Sequence, residues 1–165
     1  MSQAAAAAET FAIRRWSDAD RLDELLALIH GAFGALAIDP PSSALKETLA
    51  DIAARTASQT VLIAHVERRL AGSVFLVPEG DALYVSRLAV AAAWRGHGIG
   101  RALMEAAGAE ARRAGANRLT LRTRIALADN VALFRRLGFA IVGEETHPGF
   151  SAPTSYAMAL DLRNP

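Results

Sequence analysis

The chain has 165 residues, the size of one domain, and its 52% hydrophobic and 21% charged content supports a buried core and excludes a wholly disordered chain. A net charge of +1 gives no electrostatic case for nucleic acid or an acidic membrane surface as a partner. Cysteine is absent, which excludes disulfides, thiolate zinc sites and a cysteine nucleophile, and agrees with a reducing, cytoplasmic location.

Residues 1–10, with five consecutive alanines, are expected to form a flexible N-terminal tail ahead of one domain over residues 11–163. The tail has no basic leader and its apolar run is too short for a signal peptide; no window approaches a membrane span. Residues 11–16 read as a first strand. Ser17-Asp18-Ala19-Asp20 resembles a capping box with Asp in place of Glu, and Leu22, Leu25, Leu26, Ile29 and Phe33 then follow at helical spacing. Asp39-Pro40-Pro41-Ser42-Ser43 breaks the chain and caps a second helix, with Leu45, Leu49, Ile52 and Ala53 as its apolar face.

Residues 60–66 form a nearly continuous apolar run, as expected of a strand covered on both faces. A polar turn at Glu67-Arg68-Arg69 leads to a hairpin strand over residues 70–77, and a turn at Pro78-Glu79-Gly80-Asp81 to the next strand over residues 82–90. A glycine-rich turn and a long Ala/Leu-rich helix over residues 99–114 come next, with Gly115 as the C′ glycine. Residues 119–123 are a strand. Asp129 or Asn130 caps a short helix that Gly138 stops, and residues 139–144 and 156–162 are the last two strands, joined by a loop. The fold class is therefore α/β in the α+β sense. A mixed, largely antiparallel sheet of about seven strands carries four helices and one parallel crossover through Gly98.

The stretch Arg95-Gly96-His97-Gly98-Ile99-Gly100-Arg101 is a strand, turn and helix start. Free N–H groups and the positive end of the helix dipole make such a start an anion site, and glycines let a large anion approach the backbone. A phosphate-binding P-loop is excluded because Gly100-Arg101-Ala102 lacks the Lys and the Ser/Thr. A dinucleotide fingerprint fails as well: the glycines alternate, and they lie in mid-chain after a β-meander.

Arg95-x-x-Gly98-x-Gly100 resembles the R/Q-x-x-G-x-G/A signature of the GNAT superfamily of acyl-CoA-dependent N-acyltransferases. Arg87-Leu88-Ala89-Val90 resembles the end of that family's fourth strand. The segment from Asn130 to Phe139, with Leu133-Phe134 and Leu137-Gly138-Phe139, resembles its second motif, N-x-x-L-Y/F-x-x-x-G-F. The resemblance implies that acetyl-CoA is bound by the turn amides of Arg95, Gly96, His97, Gly98, Ile99, Gly100 and Arg101. Leu88, Ala89 and Val90 on a splayed strand edge, with Asn130 and Phe134, complete the implied coenzyme site. An amide near Leu88 or Ala89 would face the thioester oxygen.

The implied reaction is direct transfer of an acetyl group to a primary amine of a small molecule or peptide, without an acyl-enzyme. The family commonly donates a proton to the leaving thiolate from a tyrosine in the second motif, where this chain has Phe134. Tyr156, His147 and Ser86 are the remaining candidates for acid–base work, with Tyr84 beside them. The implied acceptor site lies between the first two helices and the loop of residues 145–155. It includes Phe33, Asp39, His147 and Arg124; Arg122 and Arg124 suit a carboxylate. No His/Asp/Glu set has metal-ligand spacing. The rival reading is a non-catalytic acyl-CoA sensor, for which Phe134 is the best argument. An enzyme acting on aminoacyl-tRNA would want a basic face that the net charge does not supply. A homodimer is an allowed assembly.

Overall fold

The computed structural model describes residues 10–163, so the expected tail lies, apart from Thr10, outside the described residues. The elements are β1 (Phe11–Arg15), α1 (Leu22–Gly34), α2 (Leu49–Ser58), β2 (Thr60–Val66), β3 (Arg69–Glu79) and β4 (Ala82–Val90), then α3 (Ile99–Arg113), β5 (Arg118–Arg124), α4 (Ala128–Arg136), β6 (Ala140–Glu145) and β7 (Ser155–Asp161). The strands form one sheet in the order β1-β2-β3-β4-β5-β7-β6. Every neighbouring pair is antiparallel except β4 with β5, which α3 connects. The expected mixed α/β fold, with its single parallel crossover, is the observed one.

Strand alternation divides the core in two. Val61, Ile63 and Phe75 face α1 and α2, packing with Leu25, Ile29 and Ile52. Leu62, Val74, Leu76, Val85, Leu121 and Met158 face α3 and α4, packing with Ile99, Leu103 and Phe134. The apolar run of β2 is thus explained by helices on both of its faces. Gly72 in β3 sets how closely α3 can approach. A Cβ there would lie 2.9 Å from Ile99 Cγ2 and 3.0 Å from Leu103 Cδ1, so a side chain would push the helix start off the sheet.

Helix starts departed from sequence expectation in three places. Ser17 and Asp20 form a local turn, with Ser17 N–H donating to Asp20 Oδ2 at 2.8 Å, and α1 begins after Arg21 without a side-chain cap. The Asp20 carboxylate also accepts from Arg14 at 2.8 Å, and that bond above all holds it well below the usual carboxylate range. The expected second helix is split into a single 3₁₀ turn over Ser43–Lys46, capped by Ser42, and α2, opened by a Thr48/Asp51 capping box. Leu45 and Leu49 are exposed instead of forming its apolar face. Asp129 and Asn130 lie inside α4 instead of capping it, because the helix starts after Leu127. The stops at Gly115 and Gly138 are as expected. At the second, Phe139 N–H donates to the Phe134 carbonyl at 3.0 Å, and the two rings meet edge to face.

One buried carboxylate ties the edge strand β1 to α3. Glu110 accepts from Arg15 Nε at 3.1 Å and lies 3.4 Å from Arg113, and its side chain is 8% exposed. The Arg15 hydrogen bond is the largest cause holding its pKa below the ordinary carboxylate value. A depressed native pKa adds stability that is fully present above the unfolded value of about 4.3 and is lost as pH falls through the native value. Glu110→Gln is therefore expected to lower Tm near neutrality. Thermal melts taken from about pH 7 down to about pH 3 should show that deficit shrinking toward zero. A deficit constant with pH would mean that the carboxylate charge contributes nothing.

Candidate active-site cleft

β4 and β5 pair only from Ala82↔Arg118 to Val85↔Leu121, and beyond that point the two strands separate. The cause is a bulge in β4. Phe75 pairs with Ser86 and Ser73 with Ala89, so β4 carries one residue more than β3 across this step. Arg87 takes up the distortion at φ 53°, which costs a non-glycine residue about 1–2 kcal/mol. Its guanidinium is anchored on Glu47 at 3.1 Å and on Ser43 Oγ at 3.3 Å. Glu47, only 8% exposed, also holds Arg55 at 2.7 Å. The 3₁₀ turn before α2 thus clamps the bulge from the side. Past it, Ala91 N–H donates to the Ala71 carbonyl of β3 at 2.8 Å, so alternation turns the Val90 N–H toward the gap.

The gap is the floor of a cleft of ≈ 1140 Å³. One half is bordered by the starts of α3 and α4. Gly96 and Gly98 sit at φ 78° and 83°, the left-handed region that favours glycine, and a Cβ at either would meet nothing within 4 Å. The first α3 hydrogen bond is Ala102 N–H to the Gly98 carbonyl at 3.0 Å. Among the described residues, the N–H groups from Gly96 through Arg101 have no acceptor. Six unpartnered donors therefore surround open space at the positive end of a fifteen-residue helix. Buried Ile99 pins the helix start, Arg101 pairs with Glu105 at 3.0 Å, and Arg95 is exposed. Asn130 lines the same half from the first turn of α4, and 6%-exposed Phe134 from its buried face.

The other half is bordered by the end of α1, the loop before the 3₁₀ turn, β5, and the loop between β6 and β7. Phe33 lies under the Arg87 guanidinium at 6.0 Å, and the Ser86 hydroxyl is buried in the wall without a partner. Arg122 donates to Glu145 at 2.7 Å and lies 5.4 Å from the Tyr84 ring, and these contacts, Glu145 first, raise its pKa. Arg124 differs. It lines the cleft half-buried and has no ion-pair or hydrogen-bond partner among the described residues. Burial lowers its pKa, opposed only by the more distant charge of Asp39. His147 is held by Thr154. The Thr154 hydroxyl accepts from the His147 N–H at 3.0 Å, contacts the ring Nδ1, and donates to the Glu145 carbonyl at 3.3 Å. A Thr154 hydroxyl that donates to that carbonyl would leave Nδ1 to carry the ring proton and Nε2 the lone pair.

Most residues expected at a site meet here. Phe33, Ser86, Leu88, Val90, Arg95, Gly96, Gly98, Ile99, Gly100, Arg101, Arg124, Asn130, Phe134 and His147 all line the one cleft. Four do not. Ala89 is buried beside β3. The His97 ring packs edge-on to Trp94 at 5.8 Å, with Nδ1 at 2.9 Å from the Arg95 carbonyl, so it shapes the turn from outside. Asp39 is exposed and lies outside the lining, between Ile38 and Pro40, which belong to it. Tyr156 shares the face of Met158 and packs into the α3/α4 core. Glu47 escaped sequence analysis, since its partner lies forty residues away. Trp94 and Arg136, which also line the cleft, carried no signal beyond their neighbours.

The model of the acetyltransferase (GNAT) family matches residues 21–139. No curated protein matches the chain. Many solved structures share its fold. The ribosomal-protein-S18-alanine N-acetyltransferase of Escherichia coli is 21% identical with a TM-score of 0.73, over 93% of this chain and 94% of that one. The PaiA N-acetyltransferase of Thermoplasma acidophilum, solved with coenzyme A, is 16% identical with a TM-score of 0.78, over 92% and 99%. The N-acetyltransferase of Staphylococcus aureus Mu50 is 19% identical with a TM-score of 0.75, over 93% and 99%.

Proposed function

The chain belongs to the GNAT acetyltransferase family, and from this we propose that it moves an acetyl group from acetyl-CoA directly to a primary amine of a small molecule or peptide. The observation that carries the reading is the pair of separated strands opening onto six unpartnered amides at the start of α3. A diphosphate needs several donors converging on open space, and the two glycines supply it without a side chain in the way. The exposed edge of β4 suits the amide-bearing arm of the coenzyme, which can add to it as a further strand does. The coenzyme-bound neighbour and the neighbours named as N-acetyltransferases support the same donor and an amine acceptor.

Acetyl-CoA supplies an acetyl group activated as a thioester. The chain supplies the rest. The Val90 N–H, turned into the gap, is a fixed donor for negative charge on the acyl oxygen. The apolar faces of Phe134 and Leu133 exclude water from the floor of the cleft. An alkylammonium, with a reference pKa of about 10, must lose a proton before it attacks. His147 Nε2 is the acceptor for that proton, with Thr154 fixing its tautomer. Phe134 has no proton to give. A thiol of reference pKa about 8.5 leaves as thiolate without one at modest cost.

Release of free thiol from acetyl-CoA, measured against a panel of primary amines, tests the reading; the acetylated amine should be found by mass spectrometry. His147→Ala is expected to lower kcat by about 100-fold or more, the usual contribution of a general base. Thr154→Val, which removes the tautomer lock but leaves the ring, should give a smaller loss in kcat with acetyl-CoA affinity retained. Unchanged kcat in both variants would remove His147 from the chemistry. The rival reading, a non-catalytic acyl-CoA sensor, is favoured by Phe134 alone and predicts tight acetyl-CoA binding with no amine-dependent thiol release.

A further inference from the structure

We propose that the amine acceptor carries a carboxylate, and that Arg124 is the residue that receives it. The inference rests on the proposed amine acetylation and names its substrate class. The cations on the acceptor side of the cleft have separate duties. Arg87 is committed to Glu47 and Ser43, and Arg122 to Glu145. Arg124 is half-buried in the wall and has no counter-ion among the described residues. Asp39 is the opposing charge that acts on it, and the two make no ion pair.

A guanidinium is always charged, so its burial without a partner is a standing cost that a bound anion removes. The chain had an easy remedy, as Glu145 shows by pairing with Arg122 two residues along β5, yet it left Arg124 open. The anion that fits is also constrained. A phosphate dianion seeks several cations, and among the described residues of the acceptor half Arg124 alone is uncommitted. A planar carboxylate accepts two parallel N–H bonds from a single guanidinium.

Arg124 also stands where it can orient the amine. In the sheet it pairs with Ser155, Glu145 pairs with the same residue from the other side, and Ile125 N–H donates to the Thr154 carbonyl at 2.9 Å. The loop that carries His147 is thus fastened to the strand end that carries Arg124. A carboxylate held by Arg124 would fix one end of the acceptor and leave its amine to face His147 and the gap between β4 and β5. Amino acids and short peptides with a free C-terminus have this pair of groups.

The test uses the full chain with acetyl-CoA and matched acceptors: glycine, β-alanine, L-phenylalanine and dialanine, each beside its carboxamide. The carboxamide keeps the amine and its shape and removes only the charge. At least one carboxylate should exceed its carboxamide in kcat/KM by about 10-fold or more, the scale of a hydrogen-bonded charge pair. Arg124→Gln should bring that ratio to about one by raising the carboxylate KM, Arg124→Lys should restore part of it, and acetyl-CoA affinity serves as the folding control. Equal or better use of the carboxamides by the unmodified protein overturns the proposal. So does an Arg124→Gln loss that is the same for both members of a pair.

If none of these amines is acetylated, thermal shift in the presence of CoA decides. A rise in Tm with a carboxylate, absent with its carboxamide and absent in Arg124→Gln, supports the site, and no difference overturns it. Failure of the underlying reading would look different, because acetyl-CoA would then bind nowhere in the cleft or no amine of any charge would be acetylated.

Discussion

Gly98→Glu is expected to weaken acetyl-CoA binding by at least about 100-fold while the protein remains folded. Three effects combine. A side chain at φ 83° carries about 1–2 kcal/mol of strain, part of which loosens the turn. The added carboxylate meets a diphosphate of like charge. The turn amides, unpartnered in the structure, then have an internal anion to bind instead. Loss of even one charge-assisted hydrogen bond costs about 1.5–3 kcal/mol, and each 1.4 kcal/mol is about a factor of ten in affinity. The fold should survive because the space above Gly98 is empty: a Cβ there touches nothing within 4 Å. Gly98→Ala, with strain but no charge, should lose far less. Calorimetric titration of the two variants separates these contributions, and an undiminished affinity in Gly98→Glu would mean that the turn does not hold the diphosphate.

The second large effect lies outside the cleft. Glu47→Ala should destabilise the fold by about 3–5 kcal/mol, since removing one member of a buried ion pair strands the other. Here two guanidinia are stranded, those of Arg87 and Arg55, and Arg87 must also keep its positive φ without its anchor. Urea unfolding followed by circular dichroism measures the loss. The bulge in β4 should relax with it, so acetyl-CoA affinity should fall more than a change so far from the glycine turn would otherwise explain. A Glu47→Ala protein within about 1 kcal/mol of the parent would show that the clamp contributes no more than a surface ion pair does.

The path from sequence to structure was clear where one periodicity dominated and obscure where partners lay far apart. The apolar run of β2, the Leu/Ile spacing of α1 and the glycine stops of α3 and α4 carry their structure locally, and the order of elements followed from them. The glycine turn was legible because alternate glycines before an Ala-rich helix have few other uses. The split between the 3₁₀ turn and α2 was missed because Leu45 and Leu49 mimic one helical face, while the Thr48/Asp51 box that starts α2 is equally plain in the sequence. The Ser17/Asp20 signal misled because Arg14 recruits Asp20.

In the cleft, the residues of the glycine-turn half were legible as a motif, whereas the half that holds Arg124 and His147 depends on parity. Whether Tyr156 or Ser155 faces the cleft is decided by the register of β7 on β5, Thr123 opposite Tyr156, which no local pattern encodes. The bulge at Arg87 was hidden for the same kind of reason. Its residues read as ordinary strand alternation, and the anchor is a carboxylate forty positions earlier.

Most depends on where the coenzyme lies. Hydrogen exchange of the full chain with and without saturating acetyl-CoA tests this directly. The prediction is slowed exchange at the amides of residues 96–101 and at Val90, with the outer strands β1 and β6 unchanged. Saturable binding that left those amides exchanging at their free rate, or that protected a different part of the sheet, would contradict it.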